Sequence, residues 1–146
     1  MTLLLKCLGC LAATSISAVF PWVNAELMVA TLPAVAASTW ELALLVVIAT
    51  IGQMLGKCAV YWGARRGTAT PSARGSERLG RWRARFAKTP RGAITVVLAS
   101  SVVGIPPFYV TTMLAGALRM SFPRWLIAGS IGRLVRFGAL VLVLTS

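Results

Sequence analysis

The sequence GIPPFY at residues 104–109 interrupts an apolar run that extends over residues 94–120. Its two consecutive prolines lack N–H donors, so they open a gap in the hydrogen bonds of any helix that contains them. The arms on either side, 94–105 and 108–119, would each cover about 18 Å as helices, whereas the hydrocarbon core of a bilayer is about 30 Å thick. Neither arm spans a membrane alone, and we predict a pair of short helices that enters and leaves by one face.

A second broken run has the sequence FPWVNAE at residues 20–26, within the apolar segment 3–37. Each broken run is followed by an apolar stretch without proline, so the sequence divides into two similar halves. Paired interrupted segments in corresponding halves point to a transport site near the bilayer midplane. Broken backbone is tolerated there only when protein or a water-filled cavity covers it, so we expect the two tips to meet inside the protein. The predicted tip residues are Pro21, Gly104, Pro106, Pro107 and Tyr109.

The composition is typical of an integral membrane protein. Hydrophobic residues make up 58% of the chain and charged residues 12%, against about a quarter charged in soluble proteins. We predict a single all-α membrane domain of two inverted repeats, each a re-entrant helical hairpin followed by a transmembrane helix. The predicted elements are a re-entrant or broken pair at 3–37, a transmembrane helix at 40–63, a basic loop at 64–92, a re-entrant pair at 94–120 and a transmembrane helix at 125–145.

Positive charge is concentrated in the predicted loop 64–92. The formal net charge of the chain is +12, and this segment contains nine Lys or Arg residues against one acid, Glu77. Short basic loops between apolar spans stay in the cytoplasm. We therefore expect a multi-pass protein of the bacterial inner membrane with this loop cytoplasmic. The helices at 40–63 and 125–145 then run in opposite directions, which makes the two halves inverted repeats.

Anionic membrane lipid is the expected partner of this basic loop. Each Lys or Arg near an anionic surface gains roughly 1 kcal/mol. Nucleic acid is not expected, because the loop is tethered at both ends to apolar segments and contains no recognition motif. Four or five short elements barely enclose a polar crevice, which leaves a homodimer as an alternative to a monomer.

The first arm, 3–20, has two other interpretations. It could cross the bilayer fully, with Lys6 in the cytoplasm, instead of dipping in from the outside like its counterpart in the second half. It could also be a signal peptide, since VNA at 23–25 resembles a cleavage site. No basic stretch precedes the apolar run, however. We therefore expect no cleavage.

The residue inventory argues against an enzyme. The chain has no histidine, which excludes Ser-His-Asp and Cys-His catalysis. Cys7 and Cys10 have C-x-x-C spacing, but no second pair accompanies them. We expect no metal and no cofactor.

Glu26 is the only acid near a broken tip, and Asn24 lies two residues before it. A carboxyl group within an apolar segment is costly and marks a functional site, here as a proton or substrate ligand together with Asn24. The structural alternative is that Asn24 caps a helix and Glu26 lies in its first turn, where an acid suits the helix dipole.

Arg133 and Arg136 are three residues apart in the last apolar stretch and share a helix face. Counted from Trp125, they lie roughly 12 and 17 Å along the helix, around the midplane of the bilayer. The chain has only three acids, which are too few to pair with them. A phosphate would match the guanidinium fork, so we predict a phosphate site. Alternatively, both arginines snorkel or contact carbonyls of the tips.

Three residues near the end of the stretch 40–63 are interpreted as interfacial anchors. Lys57 is close enough to the cytoplasmic interface to snorkel. Tyr61 and Trp62 are typical of an interfacial aromatic belt.

Several motifs together resemble the DedA family, also called the VTT or SNARE-associated domain family. They are FP at 20–21 followed by Glu26, GxxxGxxxxYxxAR at 52–65, PPFY at 106–109, AG at 115–116 and GRxxRF at 132–137. The resemblance implies two re-entrant loops and, for several members, lipid translocation with proposed proton coupling: undecaprenyl-phosphate recycling in bacteria and phospholipid scrambling in eukaryotes.

The chain departs from the family pattern at two places. Lys57 stands where many members have an Asp after the second glycine, and Phe108-Tyr109 stand near where many have an Arg after the proline. We expect Arg133 and Arg136 to supply positive charge instead. The predicted function is a membrane transporter or flippase for an anionic, phosphate-bearing lipid. The alternative is a non-transporting membrane protein that docks partners.

Overall fold

A computed structural model describes residues 2–20, 23–67, 80, 81, 84, 88, 90–105 and 107–146. Pro21, Pro106 and most of the predicted basic loop, including Glu77, lie outside the described residues. The elements of the described part are all α-helices, which confirms the all-α part of the predicted fold class there. They are α1 (Leu3–Val19), α2 (Ala25–Ala30), α3 (Leu32–Val35), α4 (Thr39–Arg65), α5 (Pro90–Val103), α6 (Phe108–Ala117) and α7 (Phe122–Thr145).

Two of the described helices, α4 and α7, are long and apolar enough to cross a membrane. The helix α4 has a clear start signal in its sequence. The Ser38 hydroxyl accepts a hydrogen bond from the Glu41 N–H at 3.2 Å, as in a capping box. Pro123 lies in the first turn of α7, where a missing N–H is harmless.

The chain divides into two compact units. The first comprises Met1–Lys57 and Arg133–Ser146, and the second comprises Cys58–Gly132. Both long helices are divided between the units. The first part of α4 and the last part of α7 belong to the first unit, and the rest of each helix belongs to the second.

In the first unit, the broken pair runs along α4 and returns. At the start of α1, Lys6 Nζ lies 2.5 Å from Glu41 Oε1, and after α3 the Ala37 N–H donates to Glu41 Oε2 at 2.9 Å. The last turn of α1 lies farther along α4, where Lys57 Nζ is 2.7 Å from the Ala18 carbonyl. Both ends of the pair therefore meet the first turn of α4, while the break lies about 24 Å along that helix.

Close packing of α1 on α4 depends on two glycines. A Cβ atom on Gly52 would overlap the Thr14 hydroxyl and lie 2.8 Å from the Leu11 carbonyl. A Cβ on Gly56 would overlap Ser15 and Ala18. Small residues allow helix backbones to approach closely in membranes. Nearer its start, α4 also packs into an apolar core formed by Ala25, Val29, Leu32, Leu45, Val46, Ala49, Phe137 and Val141.

In the second unit, the break between α5 and α6 falls at Gly104, which has a φ of +82°. This left-handed conformation is accessible to glycine without steric cost. Pro107 follows with a φ of −55° and precedes the first residue of α6. The two arms are joined by a hydrogen bond of 2.7 Å between the hydroxyls of Ser100 and Thr111, both of which are buried.

Tyr61 connects the segment that follows α6 to the two long helices. Its hydroxyl donates to the Met120 carbonyl and accepts from Arg65 Nη1 at 2.9 Å. Its ring stacks on that of Trp125 at 4.8 Å, so the end of α4 lies beside the start of α7. Tyr61 is fully buried, and its interpretation as an interfacial anchor is wrong. Trp62, the next residue, is 40% exposed.

In both units, a glycine of a long helix packs against a turn with a hydroxyl side chain. In the first, Thr14 Oγ1 donates to the Cys10 carbonyl at 2.7 Å, and the Thr14 hydroxyl and the Leu11 carbonyl face Gly52. In the second, Ser101 Oγ donates to the Leu98 carbonyl at 2.8 Å, and this turn faces Gly132. Each unit thus packs the first arm of its broken pair onto its long helix in the same way.

We expect Gly132→Ala to destabilise the protein by about 1–3 kcal/mol, because the added methyl group overlaps Ser101. The matched control is Gly138→Ala in the same helix, where a Cβ meets nothing within 4 Å. That substitution gains up to about 1 kcal/mol of helix propensity. Unfolding of both variants in mixed detergent, followed by tryptophan fluorescence, measures the difference. Equal stabilities would contradict the close approach at Gly132.

Candidate functional site

Glu26 forms an ion pair with Arg136 directly after the first break. Arg136 Nε donates to Glu26 Oε1 at 2.7 Å, and Arg136 Nη2 donates to the same oxygen. The Glu26 side chain is 37% exposed and that of Arg136 is 24% exposed, so the pair lies at an accessible position. It links residues 110 positions apart, on α2 and α7.

Asn24 positions this carboxylate by starting α2. Its side-chain oxygen accepts the Glu26 N–H at 3.0 Å, so Asn24 is the N-cap and Glu26 lies in the first turn. Both features of the capping interpretation are therefore present. They do not exclude a ligand role for Glu26, because its carboxylate points to α7 rather than back to its own backbone.

The expectation that the acids of the chain are too few to pair with the two arginines is wrong for Arg136. Of the three acids, Glu41 pairs with Lys6, and Glu26 pairs with Arg136. The count of acids was correct, but it could not show that the first turn of α2 lies beside α7 in the folded protein.

Arg133 lies one turn before Arg136, half-buried and near the same ion pair. Its guanidinium carbon is 5.8 Å from the centre of the Phe137 ring, a cation–π distance. It interacts electrostatically with Arg136, with Glu26 and with Lys57. The structure thus brings together all four predicted ligands: Asn24, Glu26, Arg133 and Arg136.

Lys57 is a site residue that sequence reasoning missed. It is only 5% exposed, so its interpretation as a snorkelling anchor is wrong. Its ammonium donates to the carbonyl of Ala18 at 2.7 Å, in the last turn of α1. The last carbonyls of a helix lack partners within the helix, and a cation suits this end of the dipole. The position of Lys57 one residue after the GxxxG motif of the tightly packed helix face was the available signal.

Gln53 lies one turn before Lys57 on α4, and the two residues form a polar strip that faces α1. It is 2% exposed, and its amide donates to the Ser17 hydroxyl at 2.9 Å and to the Thr14 carbonyl at 3.4 Å. Together, Gln53 and Lys57 provide hydrogen-bond donors to the end of α1. A helix that ends inside an apolar region needs such donors, because lipid offers none.

A small cavity opens beside the ion pair. It has a volume of about 270 Å³ and is lined by Glu26 and Arg136 together with apolar residues of α7. The apolar residues are Ala139, Leu140 and Val143. A charged rim with an apolar continuation suits an amphipathic ligand better than a free ion.

The charged groups of this region carry an excess of positive charge. Lys57, Arg133 and Arg136 are cations, and Glu26 is the single carboxylate that neighbours them in the described residues. Like charges in an apolar environment repel each other strongly. An anion bound among them would offset that repulsion, which is the chemistry expected of a phosphate site.

The predicted residues of the second tip lie in the other unit. Gly104, Pro107 and Tyr109 flank the break between α5 and α6, and the adjacent Ile105 is 78% exposed. Pro21 and Pro106 lie outside the described residues. That the two tips meet stays a prediction. Among the described residues, no three His, Cys, Asp or Glu side chains come together as metal ligands do.

Comparison with protein families identifies a match that covers most of the chain. A family model described as the VTT domain matches residues 20–146. The matched range begins at the first break and contains Glu26, Lys57, Arg133 and Arg136. No curated protein and no solved structure matches the chain.

A double-mutant cycle on Glu26→Gln and Arg136→Gln measures the strength of the ion pair. We expect each single variant to be less stable than the wild type and the double variant to recover about 1–2 kcal/mol relative to their sum. This is less than for a fully buried pair, because both side chains are partly exposed.

The matched control for this cycle combines Glu26→Gln with Arg124→Gln. Arg124 is an exposed arginine near the start of the same helix α7. The two substitutions should be additive in thermal unfolding. Additivity of the Glu26 and Arg136 substitutions as well would show that the pair contributes no coupling.

Proposed function

Because the chain belongs to the VTT domain family, whose match confirms the resemblance predicted from the motifs, we propose that this membrane protein moves a lipid with an anionic, phosphate-bearing headgroup across the bilayer. The proposed location is the bacterial inner membrane. The proposed reaction is translocation, with no covalent step.

One observation carries this proposal: three cations and one carboxylate lie together beside the break in an apolar helix pair. Intramembrane ionisable residues are rare and mark substrate or ion pathways. Arg133 and Arg136 offer planar forks of N–H donors that match phosphate oxygens. The cavity beside Glu26 and Arg136 continues along apolar residues, where the first methylenes of a lipid chain would lie.

Glu26 and the phosphate are proposed to compete for Arg136. Glu26 accepts both hydrogen bonds from this guanidinium. When a phosphate takes its place, the carboxylate loses its counter-charge within an apolar region and is favoured to take up a proton. Release of the phosphate reverses the exchange, which would couple headgroup movement to proton movement.

The proposed topology is a pair of inverted repeats with re-entrant hairpins. The first hairpin is supported by the contacts of both its ends with Glu41 and of its last α1 turn with Lys57. The repeat is supported by the matching contacts at Gly52 and Gly132. The charge rule puts the basic loop in the cytoplasm, so the hairpin that follows it enters from that side and the first enters from outside.

Reconstitution tests the proposed function directly. Purified protein in liposomes should accelerate transbilayer movement of a fluorescent phosphatidylglycerol over empty liposomes. Glu26→Gln, Arg133→Ala and Arg136→Gln should each lower this rate at least about tenfold, because each removes a group of the proposed site. Arg124→Gln, with an exposed arginine on the same helix, should retain the wild-type rate.

Two results would contradict this proposal. Rates equal to wild type in the Glu26 and Arg133 variants would remove the site while leaving transport in place. No acceleration by the wild-type protein would favour a membrane protein that docks partners without transport.

Thiol labelling tests the entry side of the first hairpin. In a variant with Cys10 and Cys58 replaced by serine, Cys7 is one residue from Lys6, which pairs with Glu41 at the start of α4. We expect an impermeant maleimide to label Cys7 in intact spheroplasts. An Arg66→Cys variant without native cysteines should be labelled only after lysis. Labelling of Cys7 only after lysis would mean that 3–20 does not enter from outside.

A further inference from the structure

We propose that Lys57 is a third cationic ligand for the headgroup and the residue that makes the site prefer anionic over zwitterionic lipids. This inference rests on the proposed function, because it assigns an additional residue and a selectivity to the same site. The lysine is 5% exposed, and its ammonium lies against the end of α1, at the break.

A helix end at this place does not require a charged donor. Gln53, four residues earlier on α4, supplies the neighbouring turn of α1 with a neutral amide and makes two hydrogen bonds there. Both residues face the same helix and are similarly buried. The hydrogen bond to the Ala18 carbonyl therefore does not by itself require a positive charge at position 57.

The charge of Lys57 is also unfavourable where it lies. Moving an ammonium group out of water carries a large desolvation penalty. Lys57 and Arg133 repel each other, which adds to this penalty. Residues that a protein retains at the expense of stability are typical of functional sites. An anion between Lys57 and Arg133 turns this repulsion into two attractions.

The geometry permits Lys57 to change partner. The ammonium is carried on a flexible four-carbon stem and donates to a carbonyl, whereas Arg136 is held to a carboxylate. A phosphate oxygen is a stronger acceptor than a neutral carbonyl for a charged donor. A headgroup that reaches the break can therefore exchange the Ala18 carbonyl for phosphate on Lys57. A zwitterionic headgroup brings its own ammonium group close to three protein cations and is disfavoured.

The test measures binding, so that it does not depend on transport. Detergent-purified protein is titrated with dihexanoyl phosphatidic acid or dihexanoyl phosphatidylcholine, and tryptophan fluorescence gives each Kd. We expect wild type to bind phosphatidic acid more tightly. In Lys57→Gln, the Kd for phosphatidic acid should rise at least about tenfold, the loss of one hydrogen bond to a charged group, while that for phosphatidylcholine stays unchanged. Lys57→Arg should retain the preference.

Ligand-free stability separates this role from helix capping. We expect the Tm of Lys57→Gln to equal or exceed that of the wild type, because the substitution removes a buried charge and leaves a donor. Lys6→Gln is the matched control. Lys6 also links α1 to α4, but through Glu41 at the start of α4, and its loss should lower the Tm without changing lipid preference.

Each outcome decides between the two proposals. If wild type binds phosphatidic acid and Lys57→Gln binds it equally, Lys57 is no ligand, and the proposed function stands. If Lys57→Gln is less stable and its Kd rises equally for both lipids, or if it does not fold, the lysine is a helix cap. If wild type binds neither lipid, the proposed function fails together with this inference.

Discussion

The carbonyl of Ala18 must find a hydrogen-bond donor inside the protein, because α1 ends within an apolar region where lipid provides none. Lys57 supplies that donor from α4, and Gln53 serves the preceding turn. A donor can reach only if the two helices lie close together, which Gly52 and Gly56 allow. The break in the first helix pair therefore depends on both the polar strip, which supplies the donors, and the glycines, which let those donors reach α1.

The use of a lysine as this donor affects the electrostatics of the rest of the first unit. A lysine that satisfies the end of α1 also brings a positive charge towards α7, where Arg133 and Arg136 face the same region. Glu26 balances one of these charges through its pair with Arg136. The elements that stabilise the broken helix thus produce a region suited to an anion, and fold and candidate site share the same residues.

Much of this arrangement could be predicted from local sequence. Proline breaks, the Asn24 cap and the common face of the two arginines depend on residues a few positions apart, and backbone geometry decides them. The ion pair of Glu26 with Arg136 could not be predicted in this way, because the two residues are 110 positions apart. Lys57 was misjudged for a similar reason: its distance from the end of α4 indicated an interface, but α1 covers it.

The sequence by itself determined that the chain is helical, membrane-embedded and interrupted at two places, since composition, apolar length and missing N–H donors act locally. Only the tertiary structure decided which charges meet. Hydrophobic periodicity specifies which face of a helix is buried, but not how far one helix slides along another. That register joins Glu26 to Arg136 and Lys57 to the end of α1. For α1 on α4, the register includes the close fit of Gly52 and Gly56 against α1, which exists only once the helices are packed.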